Sequence, residues 1–131
     1  FGVVHVPVRD TDYWGQPGAG AWRRVGAAPR TAIRVTLTLG PSVRIAGSRS
    51  HRGNSLESFL AGVGAHEFVE MGSSLKFCLI AEGGADVYPR LGTPLTYNTR
   101  ESLLNPYFLA YGSGARDWLA LLGHVEGGVS G

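Results

Sequence analysis

A short run of hydrogen-bond donors, Gly72-Ser73-Ser74-Leu75-Lys76, is the part of the sequence best suited to holding a ligand. It leads directly into a predicted helix, where free backbone N–H groups and the helix dipole favour an anion, the dipole by about 0.3–1 kcal/mol. Lys76 lies one turn into that helix and could add a point charge to a phosphate. The alternative is that Ser73 or Ser74 only caps the helix, as serine commonly does, while Lys76 is solvated.

A second donor-rich stretch, Ser48-Arg49-Ser50-His51-Arg52, comes earlier in the chain. The adjacent Ser50 and His51 suggest a nucleophile and its base, but sequence neighbours on a loop rarely orient toward each other as a catalytic triad does. His51 is therefore interpreted as a hydrogen-bond donor to a ligand, with an exposed histidine that has no chemical role as the alternative. No catalytic residue is predicted from this stretch.

The acidic residues favour neither a nucleophile nor a metal site. Asp10-Thr11-Asp12 follows an apolar strand, but Tyr13 and Trp14 continue as a strand, so a hairpin turn is favoured over a catalytic pair of aspartates. The ten acidic residues are scattered, whereas a two-metal phosphatase site needs several convergent carboxylates. One cysteine and four histidines, far apart, do not match a zinc site. No metal ligand is predicted.

The predicted elements in the middle of the chain follow the order strand, helix, strand, helix, strand. Tight connections between them are typical of a parallel sheet with crossover helices, so the predicted fold class is α/β. In such a sheet ligands bind outside the carboxyl ends of the strands, and both donor-rich stretches follow strands. The first helix presents Leu56, Phe59, Leu60 and Val63 on one face. The predicted strands are Val43–Ala46, Phe68–Met71 and Ala85–Tyr88, with helices beginning near Asn54 and after Ser74, and ending at Gly62 or Gly64 and at Gly83-Gly84.

The two ends of the chain are organised differently from the middle. Residues 1–38 are predicted to form a β-meander with turns rich in Pro and Gly. Residues 39–112 form the α/β domain, and residues 113–131 are a tail. The strands predicted outside the α/β core are Val3–Val8, Tyr13-Trp14, Ala21–Val25, Leu95–Tyr97 and Phe108–Tyr111, and residues 115–122 could form a short helix.

Composition excludes several classes of protein. The 131 residues suit one domain, and 44% apolar with 17% charged residues argues against a disordered chain. A net charge of +2 is too small to imply a nucleic-acid partner, and no apolar run approaches the ~18 residues of a membrane span. The lone Cys78 cannot form an internal disulfide, which suits a reduced cytoplasmic compartment. The chain starts inside a predicted strand without methionine or a signal peptide, so we expect that a segment precedes it.

Four motifs give the sequence a family resemblance. The most specific runs from Gly72-Ser73-Ser74-Leu75-Lys76-Phe77-Cys78 to Tyr88-Pro89-Arg90 and is very similar to the CysQ family, bacterial 3'(2'),5'-bisphosphate nucleotidases of the inositol-monophosphatase superfamily. The motifs occur in the family's order, from about residue 2 to residue 112. The three supporting matches are Gly2-Val3-Val4-His5-Val6-Pro7, Ser48-Arg49-Ser50-His51 and Thr99-Arg100-Glu101-Ser102-Leu103-Leu104-Asn105-Pro106.

The resemblance implies a small nucleotide bisphosphate as ligand. In the family, adenosine 3',5'-bisphosphate is hydrolysed to AMP and phosphate with Mg²⁺, as part of sulfate assimilation. The resemblance implies a cytoplasmic protein, with peripheral association at the inner membrane as a further option. Positions that match Ser48, His51, Gly72 and Lys76 contact the nucleotide in related enzymes. With the loop argument above, the predicted substrate-binding residues are Ser48, His51, Gly72, Ser73, Ser74 and Lys76.

The sequence also departs from the family. The family's metal ligands come from an early glutamate, an Asp-Pro-Leu-Asp-Gly-Thr motif and a Trp-Asp-Thr-Ala-Ala-Gly motif. The first two would precede Phe1, and the third should follow Gly92, where Thr93-Pro94 comes at once. The resemblance thus implies an incomplete inositol-monophosphatase-like layered fold, with a remnant of the amino-terminal domain and an α/β domain that lacks a crossover helix and a strand. We expect Mg²⁺ to have no ligands in this chain.

Three functional hypotheses follow from these observations. The first is a fragment of a bisphosphate nucleotidase that has no turnover by itself. The second is a non-catalytic module that binds phosphate or nucleotide through the Gly72–Lys76 loop and His51. The third is a truncated product without a molecular role, because a missing helix and strand would leave sheet edges and apolar faces uncovered.

Overall fold

The computed structural model describes residues 1–47, 54–91, 108–112, 117–118 and 120–121, and it contains two four-stranded sheets. The predicted fold class, a β-meander followed by a βαβαβ unit with parallel strands, is confirmed. The elements in chain order are β1 (Gly2–Val6), a 3-10 helix (Pro7–Arg9), β2 (Thr11–Gln16), β3 (Gly20–Val25), β4 (Thr31–Ile33), β5 (Val43–Gly47), α1 (Asn54–Val63), β6 (His66–Glu70), α2 (Leu75–Ala81), β7 (Val87–Arg90) and β8 (Phe108–Tyr111).

The first sheet is an antiparallel meander in the order β1-β2-β3-β4. The strand predicted over Val3–Val8 ends at Val6, because Pro7 has no N–H to donate to a ladder and opens the 3-10 helix instead. Asp10 then takes a left-handed conformation with a φ of 45°, and β2 begins at Thr11. The connection between β1 and β2 is therefore Pro7–Asp10, earlier than the turn predicted at Asp10–Asp12.

The second sheet has the order β6-β5-β7-β8. β5 is parallel to both β6 and β7, and β8 is antiparallel to β7. The predicted bounds of β8 agree with the structure, whereas β7 lies at Val87–Arg90, two residues later than predicted. The predicted strand Leu95–Tyr97 lies outside the described residues. Trp118, Ala120 and Leu121 are helical, within the helix predicted over 115–122.

The two helices pack on opposite faces of the second sheet. Successive residues of a strand point to opposite sides, so each strand contributes side chains to both faces. On one face, Leu56, Phe59 and Val63 of α1 pack against a cluster with Val87 and Trp118. On the other, Leu79 and Ile80 of α2 pack with Ala46, Ala85 and Tyr88. Of the predicted apolar face of α1, Leu56, Phe59 and Val63 are thus buried and Leu60 is partly buried. Among the described residues, no helix combines the length and apolarity that a membrane span needs.

Glu82, the residue that follows α2, connects the two sheets. Its Oε2 accepts hydrogen bonds from the Tyr13 hydroxyl and from Arg23 Nη1, each at 3.2 Å. Tyr13 and Arg23 are opposite each other in β2 and β3, so one face of the meander is held against the end of α2. Burial raises the pKa of Tyr13, and the negative charge of Glu82 raises it further.

An ion pair between a partly exposed arginine and a buried aspartate joins the start of β5 to the residue before β7. Arg44 donates from Nη2 to Asp86 Oδ1 at 2.7 Å and from Nε to Oδ2 at 3.2 Å, and its backbone N–H reaches the same Oδ2 at 2.8 Å. The guanidinium also donates to the Gly83 carbonyl and to Thr36 Oγ1, each at 2.9 Å. The pair therefore fastens the segment between the sheets and the end of α2 to the second sheet.

The ion pair makes stability depend on acid. Burial raises the pKa of Asp86, but hydrogen bonds from the Arg44 side chain and backbone, and from Thr36, lower it by more, so the pKa lies below its ordinary value. Because the pKa of Asp86 in the folded state is below the unfolded-state value of about 3.9, the ionised carboxylate stabilises the fold above that pH. The contribution is lost as the pH falls through the folded-state pKa.

Replacing Asp86→Asn should lower the free energy of unfolding at pH 7 by about 2–3 kcal/mol, because it leaves the Arg44 charge without its partner. We place the loss below the upper range for buried pairs because the Arg44 side chain is 33% exposed and water can solvate it. Chemical denaturation at pH 7 and at about pH 3 would measure the loss, and the gap between wild type and variant should narrow at the lower pH.

The matched control is Asp12→Asn. Asp12 also pairs with an arginine, Arg24, at 2.6 Å, but on the solvent-exposed face of the meander, where screening weakens the pair. Its loss should cost much less than that of Asp86. Equal losses in the free energy of unfolding at pH 7 would show that the Arg44–Asp86 pair stabilises the fold no more than an exposed ion pair does.

Candidate functional site

The carboxyl ends of β5, β6 and β7 meet at one edge of the second sheet because the three strands are parallel. The Met71 N–H donates to the Gly47 carbonyl at 3.3 Å, which holds the loop after β6 against the end of β5. The sheet therefore brings Gly72–Lys76 to the point where the other donor-rich stretch starts. Ser48 and His51 lie outside the described residues, and their part in the site stays a prediction.

The loop of Gly72, Ser73 and Ser74 is exposed and tightly turned. Ser73 has a φ of 53°, in the left-handed region that side chains other than glycine rarely adopt. Ser74 is in the N-cap position of α2 but makes no side-chain capping hydrogen bond, so the alternative in which Ser74 caps the helix is wrong. The Phe77 N–H donates to the Ser74 carbonyl at 3.0 Å, and α2 has only seven residues. Backbone donors therefore contribute less to anion binding than the sequence suggests.

Lys76 is buried, with only 9% of its surface exposed. Its Nζ lies 3.5 Å from the Ser73 carbonyl oxygen, a long hydrogen bond, and 5.1 Å from the centre of the Tyr88 ring. None of the ion pairs among the described residues includes Lys76. The alternative of a solvated Lys76 is therefore wrong. A buried ammonium without a carboxylate partner is costly, and an anionic ligand would relieve that cost.

Arg90 is a second cation at this edge, to which sequence reasoning gave no role. It is the last residue of β7 and lies on the same face as Tyr88, two positions nearer the carboxyl end. That face carries α2, so Arg90 points to the side of the sheet on which Lys76 lies. The sequence gives no clear signal for this, because the burial of Tyr88 and the face of β7 that α2 covers are known only from the structure.

Cys78 follows Lys76 by two residues and could be mistaken for a nucleophile. The residue is buried, and burial raises the pKa of its thiol, as does the negative charge of Glu82. A raised pKa leaves little thiolate near neutral pH, so Cys78 acts as a packing group of α2.

The acidic residues that the structure describes form no cluster at this edge. Arg24 donates a hydrogen bond to Asp12, and His5 pairs with the same carboxylate. Both contacts lower the pKa of Asp12, and the Arg24 contact has the larger effect. Asp12 is paired across the meander strands, so the hairpin interpretation is confirmed, although Thr11 and Asp12 belong to β2 and not to the turn. Nowhere in the described ranges do three or more His, Cys, Asp or Glu residues come together as metal ligands would. These residues therefore do not fit a site for Mg²⁺, which prefers several oxygen ligands.

The comparisons with known proteins confirm the resemblance to the CysQ family. No protein-family model matches the chain. The chain is 37% identical over 134 residues to the 3'(2'),5'-bisphosphate nucleotidase CysQ of Escherichia coli K12. The alignment covers 82% of this chain and 53% of that protein. The alignment is 134 positions long, although it includes only 82% of the 131 residues of this chain. Within the aligned region, the Escherichia coli protein therefore has residues that have no counterpart in this chain. The chain spans about half the length of the curated relatives it matches.

Solved structures agree with the sequence comparison. The structure of CysQ from Bacteroides thetaiotaomicron, a bacterial member of the inositol monophosphatase family, matches with a TM-score of 0.64 and 25% identity over 85% of this chain and 57% of that one. Mycobacterium tuberculosis SuhB has the same fold, with a TM-score of 0.67 and 21% identity over 95% of this chain and 59% of that one.

The left-handed turn at Ser73 gives a test of the loop. Ser73→Val should lower the free energy of unfolding by about 1–2 kcal/mol more than Ser74→Val, because a β-branched side chain is strained at a positive φ. Ser74 has a φ of −63° and a ψ of −14°, which valine tolerates. Urea denaturation of the two variants would measure the difference, and equal losses would contradict the loop conformation.

Proposed function

We propose that this chain is part of a 3'(2'),5'-bisphosphate nucleotidase, a phosphoric monoester hydrolase. The similarity to the 3'(2'),5'-bisphosphate nucleotidase CysQ of Escherichia coli supports the reaction class. The proposed reaction is the release of phosphate from adenosine 3',5'-bisphosphate to give AMP. We further propose that this reaction serves sulfate assimilation in the cytoplasm, with a small nucleotide bisphosphate as the ligand.

The observation that carries the proposal is the buried ammonium of Lys76. A lysine of this burial normally has a carboxylate partner, yet the Nζ contacts that the described residues provide are a carbonyl oxygen and an aromatic ring, both without net charge. A phosphate oxygen could supply the missing charge through a charge-assisted hydrogen bond. We propose that Gly72, Ser73 and Ser74 frame the phosphate together with Arg90, and that Ser48 and His51 also bind the ligand.

Mg²⁺ is expected from the family but has no set of ligands among the described residues. In a metal-dependent phosphatase, the ion would polarise the phosphoryl group and activate water. Three of the described carboxylates are committed elsewhere: Asp12 to the meander, Glu82 to the contact between the sheets, and Asp86 to Arg44. We therefore propose that this chain binds the ligand and does not hydrolyse it by itself. Lys76 thus also favours the second hypothesis, a non-catalytic binding module.

Binding tests the role of Lys76. Isothermal titration of the full chain with adenosine 3',5'-bisphosphate in magnesium-free buffer should give a saturable signal, and Lys76→Met should weaken binding at least about tenfold by removing the charged donor. Methionine keeps the buried apolar stem, so the variant should fold as well as the wild type.

The matched control for that titration is Arg9→Ala, which removes one positive charge from an exposed position in the meander. It should leave the affinity within about twofold, since general attraction of the ligand is screened by salt. Affinity that is unchanged in Lys76→Met, or lowered equally in Arg9→Ala, would contradict the proposed site.

A phosphate-release assay tests the lack of turnover. The full chain with Mg²⁺ and adenosine 3',5'-bisphosphate should release no more phosphate than a sample without protein, because no described carboxylate cluster retains the metal. The CysQ protein of Escherichia coli serves as the positive control. Phosphate release that rises in proportion to chain concentration and stops on chelation would show that the chain is catalytically competent.

A further inference from the structure

We propose that Tyr88 is a positioning residue that holds the ammonium of Lys76 in place for the anion. This inference rests on the proposed function, since it gives a purpose to the contact between the two side chains. Lys76 Nζ lies 5.1 Å from the centre of the Tyr88 ring, within the ~6 Å range of a cation–π interaction. Both residues are buried, so water screens this attraction weakly.

The Tyr88 ring is itself held on several sides. Its backbone is in β7, paired with Ala110 of β8. Phe77 packs edge-on against the ring, with the centroids 5.3 Å apart and the planes at 74°. Ala46, Leu79, Ile80 and Ala85 complete the cluster on this face of the sheet. The ring is thus a fixed surface on a central strand, and the consecutive residues Lys76 and Phe77 of α2 both contact it.

The chemistry of an aromatic ring explains why it would suit this position. A carboxylate beside Lys76 would hold the ammonium firmly but would cancel its charge and compete with an incoming phosphate. A tyrosine ring attracts the cation through its quadrupole and carries no net charge. The full positive charge of Lys76 then remains available to the ligand. The ring also reduces the freedom of a long side chain, which lowers the entropy lost on binding.

A double-mutant cycle tests the proposal. Tyr88→Phe keeps the ring and should leave the affinity of the full chain for adenosine 3',5'-bisphosphate within about twofold. Tyr88→Leu removes the ring and should weaken binding by about 3- to 10-fold. In a chain that already carries Lys76→Met, Tyr88→Leu should have no further effect, because the ring acts only through the ammonium. An equal loss in both backgrounds would overturn the proposal.

The matched control for packing is Phe59→Leu. Phe59 is fully buried in the cluster of α1, on the other face of the same sheet. This substitution also removes a buried ring, so it should lower the free energy of unfolding without changing the affinity for the bisphosphate. If Phe59→Leu weakens binding as much as Tyr88→Leu does, the effect of Tyr88 comes from general destabilisation and the proposal is wrong.

NMR of the Lys76 side chain in the ligand-free chain gives a second test, which does not depend on the leucine variant. Lys76 is the only lysine in the sequence, so selective ¹³C-labelling of lysine gives a single set of side-chain NMR signals. Protons over the face of an aromatic ring are shifted upfield, so the Cε protons should be shifted in the wild type and in Tyr88→Phe. Binding of the bisphosphate with unshifted signals would refute the role of Tyr88. Shifted signals in a wild-type chain that does not bind would instead refute the proposed function.

Discussion

The ion pair between Arg44 and Asp86 is the interaction that fixes the segment leading from the meander, and the end of α2, on the second sheet. A carboxylate that is almost fully buried needs a partner, and Arg44 supplies side-chain and backbone donors to it. The same guanidinium reaches Thr36, in the segment that leads from the meander, and the carbonyl of Gly83, where α2 has ended. Four parts of the chain are therefore fixed by one charged group. Gly112 completes the arrangement, since a Cβ there would lie 2.6 Å from the Thr36 carbonyl oxygen.

Local patterns predicted most of the elements because the forces that form them act over short distances. The spacing of Leu56, Phe59 and Val63 defined the buried face of α1, and the glycines after α2 marked its end. The Arg44–Asp86 pair was not predicted, because the two residues are 42 positions apart and each looks like an ordinary surface charge in the sequence. Only the pairing of β5 with β7 brings them together.

The candidate site was predicted in part for the same reason. A rule about parallel sheets was enough to direct attention to Gly72–Lys76, since it depends only on the order of strands and helices. Lys76 contacts Tyr88, which belongs to strand β7, and no periodicity within α2 reveals that contact. Arg90 was overlooked because its face of β7 is defined only once α2 is known to cover it. Ser48 and His51 remain predictions.

The three tryptophans divide between the sheets in a way that makes them optical reporters. Trp14 and Trp22 are partly exposed cross-strand neighbours in the meander, with centroids 6.3 Å apart, whereas Trp118 is 2% exposed and packs with the cluster of α1. An indole in an apolar core emits at shorter wavelength than one in contact with water. The blue and red sides of the fluorescence spectrum therefore follow different halves of the molecule, and their coincidence or separation during unfolding reveals whether the halves melt as one cooperative unit.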